Sequence, residues 1–535
     1  MSVFVPTSSL VANESSNTKY RPITTLGLFH LYNFIENINW DFINNTNNDV
    51  EDLFTQFNSI LVHYVSICFP EKIFSTRASK NWFNDNLRAL RNMQTLLFQL
   101  QNKQIIDKEV YTDFRKFYRS EIAKALVKFH DNMINNVPNK QKALWDIVNT
   151  KRKNSVKLPT NLSPDTINNY FTNIAANTIN ALPKTSNILT SFETDSRFSF
   201  HEVSYNEVRD AINHLKKSNS RDAYNISSKI LKSLVNLIVI PLTKIINREC
   251  IRESIFPAVL KTSKVVPVFK KGDPNDISNY RPISLVPILA KVFEFILKKQ
   301  INSYFENNSL YSQFQFGFRC NHSTSLAINY LSEKILSSFE NKENTYVCCL
   351  DLTKAFDCVE HGILLQKLKS YGFCVKSISL MNSYLINRCQ FVSAHNINSN
   401  KMEIKFGVPQ GSVLGPTLFL IFINDLPLSI KDTNFLLFAD DTTIYGAFDL
   451  KEALDHIKTC VETKIKDWFI GNKLTVNCAK TQEIIFSLNK SFITPSYIKL
   501  LGVFLDCGLT WETHCNYFVT KLSKKLFLFR QLVID

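Results

Sequence analysis

Val50, Leu53, Phe54, Phe57, Ile60, Leu61 and Val65 recur at three- and four-residue intervals. That spacing puts side chains on one face of an α-helix. An Asn/Asp-rich stretch precedes them, so Asn48 or Asp49 is the expected N-cap. A second helix is predicted over 82–100 and a third over about 109–132. The third carries Lys116, Arg119, Lys124 and Lys128 among Phe114, Tyr118 and Phe129. It reads equally as a nucleic-acid-contacting face or as a solvated face with its aromatics turned inward. Scattered Ser, Thr, Asn and Pro over 152–200 predict a linker with one short helix. From about residue 200 the texture changes. Helical stretches at 206–217 and 226–250 lead into a basic, strand-like run at 261–273. Asn279-Tyr-Arg-Pro-Ile-Ser-Leu follows, then a long amphipathic helix to about Phe305. After 343, short apolar strands alternate with helices, an α+β pattern.

Composition narrows the classes of partner. At 535 residues, the chain is long enough for several domains or one multi-lobed enzyme. Its 45% hydrophobic content is ordinary globular usage, and 20% charged residues do not suggest disorder. Lys+Arg 62 against Asp+Glu 47 leaves a net charge of +15. That balance suits a polyanion, nucleic acid first and an acidic membrane surface second. Of twelve glycines, eleven lie at or after Gly272. The first half is therefore a poor candidate for a turn-rich sandwich or a glycine-rich phosphate loop, and each later glycine is expected where backbone geometry requires it. The twelve cysteines form no C-x-x-C pair and no Cys/His cluster at zinc spacing, so they read as buried thiols in a reducing compartment. The N-terminus lacks a signal-peptide pattern, and the longest apolar stretch, 413–423, is too short to span a bilayer.

Three segments carry the candidate chemistry. In Tyr346-Val-Cys-Cys-Leu-Asp351, a buried-strand run ends in a carboxylate. Burying it alone would be costly, so Asp351 is expected at the strand's end beside a cation. In Asn434-Phe-Leu-Leu-Phe-Ala-Asp440-Asp441-Thr-Thr-Ile-Tyr445, two β-prone runs flank a pair of carboxylates, the pattern of a hairpin with Asp at its turn. Because successive strand residues face opposite ways, Asp440 is expected to point at a shared metal site, with Asp441 more angled. In Phe406-Gly407-Val-Pro-Gln410-Gly411-Ser412, the glycines allow close approach of a bulky ligand and Gln410 offers a planar amide. One carboxylate at a strand end and two at a hairpin tip 89–90 residues later form the minimum protein contribution to a two-metal phosphoryl-transfer site. Mg²⁺ takes hard oxygen ligands and keeps water and substrate phosphates as the rest.

The strings LDLTKAFD, GVPQGSVLGP and FADD resemble the three central motifs of reverse transcriptases, in the version found in non-LTR (LINE-type, jockey-like) retrotransposons. SNYRPISLVPILAKVFE (278–294), QFGFR (315–319), LTVNCAKT around Lys480 and LLGVFLD (500–506) resemble further blocks in the same order. The resemblance covers about 200–530. It implies a right-hand polymerase fold of class α+β: fingers over 200–345, a palm over 346–500 with an antiparallel sheet and helices on one face, and a partial helical thumb over 501–535. A mostly helical region, 1–190, precedes them. It further implies that Asp351, Asp440 and Asp441 hold two Mg²⁺ ions, with Mn²⁺ as a substitute. Phe356 would be the aromatic gate against a ribose 2′-OH, and Gln410 with Gly411 would lie against the incoming nucleotide. Lys270 and Arg281, with Lys264 beside them, would bind the triphosphate. Lys480 would serve the leaving pyrophosphate.

The implied partners are an RNA template, a DNA primer and dNTPs, with the element's own RNA forming a ribonucleoprotein in the nucleus or cytoplasm. No membrane partner is implied, and the oligomeric state is left open. Residues 1–200 lack the strings of the endonuclease that usually precedes such a polymerase, and the chain stops early in the thumb. A truncated element copy is therefore the expectation. Two competing readings remain: a non-enzymatic nucleic-acid-binding remnant, and an RNA-dependent RNA polymerase, against which the bulk of Phe356 argues.

Overall fold

Strand Asn344–Leu350 is nearly continuous in apolar residues, the composition of a strand covered on both sides. In the computed structural model it is the second strand of a four-stranded antiparallel sheet. The order across that sheet is Gln482–Phe486, Asn344–Leu350, Asp441–Phe448, Asn434–Phe438. The structure describes residues 18–44, 50–74, 82–137, 139–151, 158–183, 194–395, 397–430, 433–489 and 497–534. The expected caps Asn48 and Asp49 lie outside them.

Alternate residues of the central strand enter two different cores. Val347 packs with Leu436, Tyr445 and Ile484 under helix Thr324–Glu340, which contributes Ala327, Ile328, Leu331 and Ile335. Tyr346, Cys348 and Leu350 face the larger core, which includes Leu418 and Phe419 of helix Gly415–Ile423 and Leu454 and Ile457 of helix Lys451–Cys460. Helices on one face only were expected. The sheet is instead buried on both, because its inner strands have no polar face to give to water. Burial pushes the thiols of Cys348 and Cys349 up to about 12, and all twelve cysteines are free.

A second sheet has the order Tyr280–Leu285, Thr262–Phe269, Arg388–Ala394, Ile397–Asn398, with Met402–Ile404 also paired to Arg388–Ala394. The first pair is antiparallel, and Thr262–Phe269 runs parallel to Arg388–Ala394. Helix Ile288–Asn307 follows directly and fills the larger core with Leu289, Phe293, Ile296, Leu297 and Ile301.

The one short helix expected in the linker stretch is a 17-residue helix, Pro164–Asn180, capped by Ser163 on Thr166 N. Ile167, Phe171 and Ala175 recur at i, i+4, i+8 and are buried. Ile167 and Phe171 pack against Val265 and Val392 of the second sheet. Asn168, also buried, donates to Asn400 O at 2.9 Å and accepts from Gln390 Nε2 at 3.0 Å. Its Asn-rich composition disguised the length of the helix.

The chain divides into two compact units, 21–72 with 158–515, and 1–20 with 73–157 and 516–535. The smaller contains helices Asp85–Asn102, Lys108–Asn135 and Lys140–Lys151. On Lys108–Asn135, Tyr118 is turned inward, while Lys116 and Lys124 pair with Asp113 and Glu121 on the solvated side. All the candidate site residues belong to the larger unit. Among the described residues, no helix is long and apolar enough to cross a membrane.

Candidate active site

Asp351 is the residue immediately after strand Asn344–Leu350, and Asp441 opens strand Asp441–Phe448. The ladder pairs Thr442 with Leu350. One step further sets Asp441 opposite Asp351, at the ~5 Å Cα spacing of antiparallel neighbours. Cross-strand partners share a face, so both carboxylates line one cleft of about 620 Å³, together with Lys480, Gln482, Lys499 and Gly502. Asp440 belongs to the two-residue turn, where Ala439 takes the left-handed conformation at φ 56°. Strand alternation therefore does not govern Asp440, and Asp441 is the member of the pair that lines the cleft with Asp351.

Crowding marks this tip electrostatically. Asp441, although exposed at the rim, has its carboxyl raised to about 6, by desolvation first and then by the charges of Asp440 and Asp351. Asp440 is raised by the same desolvation, with Asp351 adding to it. The cation expected beside Asp351 is Lys480, whose Nζ lies 2.7 Å from Asp351 Oδ2. Its segment arrives there because Thr353 N donates to Thr475 O and Asn477 N donates to Asp351 O, both at 2.8 Å.

Among the described residues, no three His, Cys, Asp or Glu side chains are gathered as a closed metal-ligand set. The donor chemistry nevertheless fits a divalent ion: three hard-oxygen carboxylates crowd the ends of two paired strands, and Lys480 is paired with Asp351 among them. Asp351, Asp440 and Asp441 would hold such ions.

The tip is braced from below. Gln315 is fully buried, and its Oε1 accepts from Gly317 N at 2.8 Å and from Ala439 N at 3.1 Å. Phe316 N donates to Leu437 O, and Leu437 N to Phe314 O, both at 2.8 Å. A Cβ on Gly317 would lie 2.5 Å from Ala439 N. Segment 314–317 thus acts as a short extra strand that fixes the turn before Asp440. Sequence reading assigned QFGFR no role, although a Gln inside an aromatic string was a signal of a buried amide with backbone to satisfy.

Phe356 stacks on Phe419, with ring centroids 4.5 Å apart and planes at 25°. Its carbonyl accepts from Val408 N at 2.9 Å, and Val359 O accepts from Gly407 N at 2.7 Å. The Gly407 and Gly411 segment is therefore laced to the turn that carries Phe356. Both glycines have positive φ, 82° and 117°, and a Cβ would strike Asp357 O at 2.6 Å and Ser284 O at 2.5 Å respectively. In this structure the chain's own backbone lies against both glycines. Gln410 is not an open amide either: its Nε2 donates to Asp357 Oδ1 and Oδ2 at 2.8 and 2.9 Å. Burial raises the Asp357 carboxyl, and Gln410 and Lys354 oppose that shift. Behind the loop, the fully buried Glu294 accepts from Val413 N at 2.7 Å and from the Tyr384 hydroxyl at 2.9 Å. Asp357 and Glu294 both lie in motif strings quoted above, yet neither was singled out.

Lys270 and Arg281 sit at the tip of the Thr262–Leu285 hairpin, where Val268 pairs with Arg281. The ammonium of Lys270 is lowered by desolvation and then by the like charges of Arg281, Lys480, Lys271 and Lys354. That list brings the hairpin's basic tip near the carboxylate edge. Lys264 lies toward the other end of the strand, paired with Leu285 and Phe391, six residues or ~20 Å of strand from Lys270.

Carboxylates gathered at the ends of two paired inner strands, with the basic tip of a hairpin near them, are the features that this part of the chain brings together. Residues 268–505 match the family described as "Reverse transcriptase (RNA-dependent DNA polymerase)". That stretch is similar to reverse transcriptase domains, and the proteins most like it include RNA-directed DNA polymerases of mobile elements. The chain is 31% identical over 318 residues to the probable RNA-directed DNA polymerase from transposon X-element of Drosophila melanogaster, covering 56% of this chain and 35% of that protein. To the RNA-directed DNA polymerase from mobile element jockey of Drosophila funebris it is 29% identical over 350 residues, 61% of this chain and 38% of the relative. The probable RNA-directed DNA polymerase from transposon BS of Drosophila melanogaster is 30% identical over 372 residues, with 64% and 40% covered. The chain thus spans 35–40% of the length of these relatives.

Proposed function

We propose that this chain is an RNA-directed DNA polymerase, extending a DNA primer on an RNA template. The observation that carries the reading is the ladder register that sets Asp441 opposite Asp351 beside the Asp440 turn. In this reading the fingers run over 200–345, the palm over 346–500, and the thumb begins at 501. The primer 3′-oxygen bonds to the α-phosphorus of a dNTP, the α–β anhydride bond breaks, and pyrophosphate leaves. Two divalent ions, Mg²⁺ by the oxygen donor set, would be held by Asp351, Asp440 and Asp441, where they lower the cost of charge on the attacking and leaving oxygens. Lys270 and Arg281 offer a point charge and a bidentate fork to the triphosphate. In this reading Lys480 would serve the leaving pyrophosphate, and Phe356 would stand against a ribose 2′-OH. The setting this reading implies is an intracellular ribonucleoprotein with the element's RNA.

Primer extension with dNTPs on a primed RNA template tests it. Incorporation is expected to need Mg²⁺ and to fall by at least ~10³ in Asp440→Ala, about 4 kcal/mol of barrier. Equal activity in that variant rejects the assignment. RNA binding by the unaltered chain without incorporation favours a binding remnant instead.

A further inference from the structure

Gln410 cannot offer both ends of its amide to a ligand. Its Nε2 is committed to both carboxylate oxygens of Asp357, and its backbone carbonyl accepts from Ser284 N at 3.0 Å. An ionised carboxylate has no hydrogen to give, so a flipped amide would set oxygen against oxygen. The orientation of this amide is therefore dictated by its partner. Oε1 is turned away from Asp357. Asp357 is itself held in place: its N donates to Lys354 O at 2.9 Å, and its carbonyl occupies the space a Cβ on Gly407 would need.

We propose that Asp357 is a positioning residue that fixes the polarity of Gln410, so that the segment presents an acceptor, Oε1, to the nucleic acid. The group it reads there is a hydrogen-bond donor, a sugar hydroxyl or an exocyclic amino group. This rests on the polymerase reading above and adds to it the chemistry of one contact.

The test exchanges donor and acceptor. Gln410→Glu sets a carboxylate against Asp357 and is expected to lower kcat/KM for dNTP on primed RNA at least about tenfold, the loss of one well-made hydrogen bond. Adding Asp357→Asn restores a donor toward the introduced carboxylate and leaves the second oxygen of that carboxylate facing outward, so the double variant is expected to recover most of that loss. A double variant no better than Gln410→Glu overturns the proposal. Should Gln410→Glu fail to fold, judged by its thermal transition, a second cycle decides. Asp357→Asn is expected to lower kcat/KM in the natural background and to cost nothing further beside Gln410→Ala; independent, multiplicative losses overturn the proposal.

The donor's source is found by removing candidates. A DNA template lacks the 2′-hydroxyl, a dideoxynucleotide lacks the 3′-hydroxyl, and hypoxanthine in place of guanine lacks the 2-amino group. Purine in place of adenine and 2-pyrimidinone in place of cytosine remove the other two exocyclic amino groups. The substrate on which Gln410→Ala shows no deficit identifies the donor; a full deficit on all five overturns the proposal. Dissociation constants measured by fluorescence anisotropy, for the primer–template and, where the donor proves to lie on the nucleotide, for its ternary complex with a non-hydrolysable dNTP, are expected to rank the single and double variants in the same order without turnover. Variants that rank in that order while the unaltered chain never incorporates dNTP sink the polymerase reading alone.

Discussion

Phe356 does two things with one ring. Its stacking on Phe419 ties the turn after Asp351 to helix Gly415–Ile423, and in the proposed reaction its edge meets the sugar. Phe356→Ala is expected to gain ribonucleotide use in primer extension; an unchanged preference would remove the gate assignment. The same truncation should cost about 3–5 kcal/mol where the ring is well packed, and less here because it is half-buried. Gly317 shows how little room the acidic tip has. Gly317→Ala must push against the backbone of Ala439, 2.5 Å from the added carbon. Overpacking of this kind costs about 1–3 kcal/mol, to be read as a lowered urea midpoint. It should also slow incorporation, because the turn that it displaces is the one carrying Asp440.

Helix His361–Ser370 is pinned to helix Gly415–Ile423 and the turn after it by one buried ammonium. Lys367 Nζ donates to Phe422 O at 2.6 Å and to Asp425 Oδ1 at 2.7 Å, and lies 4.6 Å from the Trp468 ring centroid. Burial lowers the ammonium, and Asp425 opposes that shift. Taking one partner from a buried pair costs more than the pair is worth, because the other charge stays behind. Lys367→Ala is expected to destabilise by about 3–5 kcal/mol in urea unfolding, and removing both charges with apolar residues of similar size should cost much less. A loss under about 1 kcal/mol for the single variant would show that the ammonium is not holding these helices. Helix Pro164–Asn180 belongs to the same order of structure: its buried Asn168 exchanges hydrogen bonds with Gln390 and Asn400.

The charge surplus of +15 belongs to no single contact. It sets a long-range field that favours a polyanion whatever its base sequence. Affinity for a primer–template is therefore expected to fall steeply with salt, by about tenfold or more between 50 and 200 mM, with a straight line in a plot of log affinity against log salt. An affinity indifferent to salt would contradict the backbone-binding mode. Anisotropy titrations at four or five salt concentrations measure the slope directly.

Local periodicity was enough to place the elements that carry the chemistry. Asp351 stands one residue past its strand and the Asp440–Asp441 pair lies at a hairpin tip, both as patterning indicates. Alternation and helical spacing are written between near neighbours, so they can be read along the chain. The partners of the polar side chains could not be read that way. Gln410 meets Asp357 across 53 residues, and Gln315 meets Ala439 across 124. The docking of helix Pro164–Asn180 against the second sheet was likewise invisible in spacing. Such contacts depend on where packing brings distant backbone together, and a hydrogen bond is made or lost over a few tenths of an ångström. The chain's order of residues therefore names the candidate groups, while the folded packing settles which way each one points and what holds it there.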